Sequence, residues 1–217
     1  MSNNKKASAP DPKLGPRVSN SAAMISTHRI APEDRRAVWI VVGIAGSMFL
    51  IEMVVGHYVG SHALQADALD FLHAALTYGP ALAAVGANIR TRAAALARDL
   101  ALCLVSLSVL CLSAYHMFTP HEPVPIYMGA IGLLAVGATI LCRSLLSNLS
   151  EGSLALGGDN LASPDAYIGN GAVVVTALAV WLLGSAWPDL LVGALASALF
   201  LRTDLLQLRT AFLAYRD

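Results

Sequence analysis

The chain has 217 residues, 56 % of them hydrophobic and only 13 % charged, with 14 Lys/Arg against 14 Asp/Glu and a mean hydropathy of +0.62. Soluble domains carry about 25 % charged residues, so this composition is that of an integral membrane protein. It excludes disorder throughout, and zero net charge without a large basic face argues against nucleic acid as a partner. Cys103, Cys111 and Cys142 stand far apart in apolar runs, which is neither a disulfide framework nor a CxxC metal knot.

Residues 1–36 are polar and rich in Pro and Ser, with no sustained apolar period. They lack the h-region of about 7–15 apolar residues that a secretory signal needs, and read as a flexible cytoplasmic N-terminal tail. Its Lys5, Lys6, Lys13, Arg17, Arg29, Arg35 and Arg36 suit the surface of an anionic bilayer.

Six apolar stretches follow, each judged against the roughly 20 residues that span a bilayer. They are Ala37–Val59, His62–Ala87, Arg98–Phe118, Ile126–Leu146, Ala166–Ser185 and Leu190–Leu206. Short breaks separate them, among them Gly60-Ser61 and the run from Thr119 to Pro123. The break from Gly184 to Asp189 holds an interfacial Trp187 and a helix-starting Pro188. The Lys and Arg residues gather in the tail, around the second connection (Arg90, Arg92, Arg98), at Arg143 and at Arg202, Arg209 and Arg216. None falls after spans one, three or five, so the positive-inside rule places both termini in the cytoplasm. The expected fold is therefore all-α: a polytopic protein with six transmembrane helices over 37–210, a short cytoplasmic C-terminal tail at 211–217, and the inner or plasma membrane as its location.

Ionisable residues at membrane depth carry the chemistry, because each costs about 2.5–3.5 kcal/mol at the centre of a span. Span two has the densest set. Asp67, Asp70 and His73 recur at i, i+3 and i+6, drifting by about 60° per step but staying near one stripe. Two carboxylates and an imidazole on one stripe can hold a divalent cation; they can also cap or pair with neighbouring helices. Span five opens with Ser163-Pro164-Asp165, where Asp165 is either a first-turn acid of a helix start or a partner for the span-two stripe. Asn170 lies more than a turn deeper, where an amide bridges helices or touches a cation. Glu52 and His57 in span one, and His116, His121 and Glu122 beyond span three, complete the inventory. No GxSxG elbow or HExxH appears, so no enzyme is expected.

Three segments resemble the cation diffusion facilitators. The run Gly60-Ser61-His62-Ala63-Leu64-Gln65-Ala66-Asp67-Ala68-Leu69-Asp70 looks like the start of their span two. The run from Asp165 to Asn170 is similar to their fifth span, and Trp187-Pro188-Asp189-Leu190-Leu191-Val192-Gly193 to the opening of their sixth. The likeness covers roughly residues 37–210 and is closest to short forms without the cytoplasmic C-terminal domain. It implies six-span exporters of zinc and related divalent ions, driven by proton antiport, with a four-ligand site from a [HD]-x-x-x-D pair in each of spans two and five. Laid onto this chain those pairs are Asp70 with Ala74, and Leu161 with Asp165. The expected metal ligands are Asp70 and Asp165, with His73 and Asp67 standing in for the two that are missing. The cargo is Zn, Co, Ni, Mn or Fe(II), the partners are the bilayer, the ion and protons, and no prosthetic group is expected. The alternative is a non-transporting relative that serves as a membrane partner or sensor. Small residues of span four (Gly129, Gly132, Ala135, Gly137, Ala138) suit either a homodimer contact or packing within one chain.

Overall fold

The computed structural model describes residues 34–83, 91–119, 122–147 and 164–216, with side chains at all of these except 80–83, 91–95, 164–167 and 214–216. The described residues form six α-helices and no strand. They are α1 (Arg35–Val59), α2 (His62–Ala83), α3 (Thr91–His116), α4 (Pro125–Leu146), α5 (Pro164–Leu183) and α6 (Trp187–Arg216).

Local chemistry sets the boundaries. α1 ends where Gly60 turns left-handed at φ 69°, a conformation that costs glycine no steric clash. The Ser61 and Gly60 N–H groups then close onto the Gly56 and His57 carbonyls. α4 starts on Pro125, whose missing N–H would have no partner at a helix start in any case.

The packing is inside-out for a water-soluble protein. Leu50, Leu104, Leu133, Leu182 and Leu195 face outward, while Glu52, Asp67, His73, Asp99, Asp189 and Asp204 are buried. Apolar exteriors around a polar interior suit a hydrocarbon surrounding. Among the described residues three helices are long and apolar enough to cross a membrane, Arg35–Val59, Leu96–His116 and Pro125–Leu146. The runs of α2 and α6 carry ionisable residues at Asp67, Asp70 and His73 and at Arg202 and Asp204, and the part of α5 with described side chains is the apolar stretch Ile168–Leu183.

α2 is the hub, in contact with α1, α3, α5 and α6; α3 packs along α6, and α4 packs along α5 and α1. The first eight positions of α2, His62–Leu69, are all buried, the pattern of a helix enclosed on every side. At its start α6 crosses so closely that a Cβ on Gly193 would lie 2.6 Å from the His62 carbonyl carbon. A main apolar cluster joins Val41, Ala45 and Met48 of α1 to Phe71, Ala74 and Tyr78 of α2 and Ala135 and Cys142 of α4.

Two helices reach beyond the apolar stretches read from the sequence. α3 begins at Thr91 rather than Arg98, so Arg92 lies within the helix. α6 runs from Trp187 to Arg216, taking in most of the expected 211–217 tail. Residues 207–216 lack helix-breaking Pro or Gly, and nothing in their chemistry stops the helix at Leu206.

Candidate functional site

The stripe read from α2 opens onto one cavity. Asp67, Asp70 and His73 line a space of about 480 Å³ between α2, α5 and α6, walled otherwise by apolar side chains such as Val173, Val192 and Phe200. Its far walls are Ile168, Gly169 and Ala172 on α5, and Ala196, Leu199, Thr203 and Gln207 on α6. The helical spacing of the stripe thus delivers what it promised, three polar groups on one wall.

Asp67 faces α5 most directly. Its Oδ1 lies so near Gly169 that a Cβ there would sit 3.3 Å away, and among the described residues its Oδ2 has no hydrogen-bond partner. Asp70 is half-buried on the same wall. Behind them Glu52 of α1 is fully buried, with neither carboxylate oxygen hydrogen-bonded among the described residues. The charged groups that act on it are the Asp67 and Asp70 carboxylates. A buried carboxylate without donors is costly unless an opposite charge or a proton joins it.

His73 is committed elsewhere. Its Nδ1–H donates to the Leu69 carbonyl at 2.8 Å, and Nε2 meets Asp204 Oδ1 at 2.6 Å. Asp204 in turn accepts the Ser106 hydroxyl at 2.7 Å through Oδ2, and Phe200 stacks on the ring with centroids 5.4 Å apart. Both ring nitrogens of His73, expected to stand in for a missing metal ligand, are thus engaged by Leu69 and Asp204, while the ring still lines the cavity. Ala74 explains the rest of that gap. It is buried in the apolar cluster with α1 and α4, not on the cavity wall.

On α5, Asp165 lies in the first turn, one helical turn before Gly169; its side chain lies outside the described residues, as does Leu161. Asn170 is buried and its Nδ2 donates to Thr139 Oγ1 at 2.6 Å, so the amide bridges α5 to α4. Among the described residues its Oδ1 has no hydrogen-bond partner. The His116 ring lies 4.8 Å from that of His62, a buried residue at the start of α2. His57 is exposed in the last turn of α1, Glu122 is exposed before α4, and His121 lies outside the described residues. Among the described residues no three His, Cys, Asp or Glu side chains form a ready-made metal cage.

Two acids escaped the sequence reading. Asp204 stands beside Arg202 near the expected end of the last span, where an acid looks interfacial. Asp189 passed as part of the Trp-Pro-Asp helix start. The structure makes it the cap of a different helix: its carboxylate accepts the His62 N–H at 2.7 Å, the Ala63 N–H at 3.1 Å and the Ser61 hydroxyl at 2.7 Å. The two orphan amides at the start of α2 are thereby satisfied from α6. An intramembrane acid is the signal that would have flagged Asp204; the trans cap has no signature in a single sequence. Comparison with family models matches none to this chain, and comparison with curated proteins finds no similar sequence.

Proposed function

We propose that the protein is a multi-pass membrane carrier that exports a divalent transition-metal cation in exchange for protons, through a site between α2 and α5. The observation that carries this reading is the cavity wall bearing Asp67 and Asp70, inside a molecule whose exterior is apolar. Two carboxylates offer two negative charges to a doubly charged ion, and protons compete for the same oxygens, which couples the two fluxes. The clustering of Lys and Arg at one side of the six helices supports crossing by all six with both termini in the cytoplasm. The resemblance to cation diffusion facilitators in spans two, five and six supports the same activity. In the proposed cycle the ion enters from the cytoplasm and loses water to Asp70 and Asp67. Asp165 reaches it from α5, and the helices rock about the site to open the other side.

Uptake of zinc, cobalt and manganese into acid-loaded proteoliposomes tests this, since protons leaving the vesicle drive the cation in. Wild type is expected to accumulate at least one ion, and Asp70→Ala to fall to the rate of protein-free liposomes. Full activity in Asp70→Ala would overturn the site. A second reading, a non-transporting relative that serves as a membrane partner or sensor, is favoured by Ala74 in the apolar core and by His73 held on Asp204. It predicts no flux of any of the three ions from a folded wild type.

A further inference from the structure

We infer that Glu52 of α1 is a ligand of the transported cation, shared with Asp67, so that the site is built of oxygen and its cargo is a hard, oxygen-preferring divalent ion of the Mn²⁺ type. The inference rests on the carrier reading above and adds a residue and a cargo class to it.

Glu52 has no structural employment. It is 0 % exposed, and among the described residues no hydrogen bond or ion pair reaches it. Arg98 is taken by Asp99 and His73 by Asp204. An acid placed merely to link helices would show the donor it links to, as Asp189 and Asp204 both do.

The packing register sets Glu52 level with Asp67. One turn toward Gly60, Gly56 presses on Ser61 and Gln65 of α2, and Val55 packs with Ala63, Leu64 and Val173. Because α2 runs back along α1, the turn holding Glu52 faces the turn holding Asp67. Asn170 follows Gly169 on α5, and its Nδ2 is pinned on Thr139 of α4.

Both oxygens of Glu52, Oδ2 of Asp67 and Oδ1 of Asn170 are buried acceptors with no donor among the described residues. Carboxylate and amide oxygens are ligands for hard cations, whereas imidazole and thiolate draw zinc and softer ions. Two carboxylates balance the charge of one divalent ion. Asp67 lines the cavity and Glu52 does not, so an entering ion meets Asp70 and Asp67 first and Glu52 behind them.

The test is Mn²⁺ binding to the purified full-length protein in nanodiscs, read by the loss of the six-line electron paramagnetic resonance signal of the aqueous ion. Wild type is expected to bind, Glu52→Gln to bind about tenfold more weakly or worse, and Glu52→Asp to recover part of the loss. Glu52→Gln binding as wild type does, while Asp70→Asn fails, would overturn Glu52 as a ligand and leave the carrier site standing. A folded wild type that binds neither Mn²⁺ nor Zn²⁺ would overturn both. The Gln variant keeps the shape and removes a buried charge, which favours folding. Should it not fold, X-ray absorption of Mn²⁺ on the wild type decides: a shell of oxygens alone supports the inference, and imidazole scattering overturns it.

Discussion

The two sides of α2 treat buried charge in opposite ways. Toward α3 and α6, His73, Asp204 and Ser106 form a closed chain in which each atom aimed inward has a partner. Toward α1 and α5, Glu52 and Asp67 keep buried oxygens without donors among the described residues. The first arrangement is what packing a polar group between helices requires; the second is what binding something else requires. Residue type alone does not separate them, since acids serve in both arrangements.

Mutations sharpen this contrast, because the closed side should register in stability and the open side in binding. The largest effect is expected from Asp204→Ala, which strands His73 and Ser106 in the interior. Breaking one partner of a buried pair costs about 3–5 kcal/mol, so thermal unfolding in detergent should show a large fall in Tm. A loss under about 1 kcal/mol would instead mark the pair as weakly formed. Next comes Asp189→Ala, which removes the acceptor for two amides and a hydroxyl at the start of α2. A loss of about 2 kcal/mol is expected, together with faster hydrogen exchange of the His62 and Ala63 amides.

Thr139→Val should cost about 1 kcal/mol by stranding the Asn170 amide hydrogen. The smallest stability change belongs to Glu52→Gln, within about 0.5 kcal/mol of wild type, because the side chain keeps its shape and no hydrogen bond among the described residues is lost. If Glu52→Gln unfolded the protein as Asp204→Ala does, the division between the two sides of α2 would be wrong. Added Mn²⁺ separates them further. At about 100 times its Kd a ligand stabilises by roughly 2.7 kcal/mol, a gain expected in wild type and absent in Asp67→Asn.

Much of the helical layout was legible in the chain. Gly60, Pro125 and the Trp187-Pro188 start are local signals, and the elements they bound lie close to where hydropathy places them. The stripe of Asp67, Asp70 and His73 was legible too, because helical periodicity fixes which residues share a face. What each member of the stripe meets was not. His73 finds Asp204 across 131 residues of chain, and Ala74 turns toward α1 and α4, facts that depend on which helix sits on which side. Helix beyond Leu206 was legible as well, since residues 207–216 hold no Pro or Gly, and α6 runs on to Arg216.

The central claim is that the open side of α2 carries a cation across the membrane. The most direct measurement is pH-driven Mn²⁺ uptake by Asp67→Asn beside wild type, in proteoliposomes matched for folded protein. Wild type is expected to accumulate Mn²⁺ and the variant to show no more than background leak. Uptake by Asp67→Asn at the wild-type rate would contradict it.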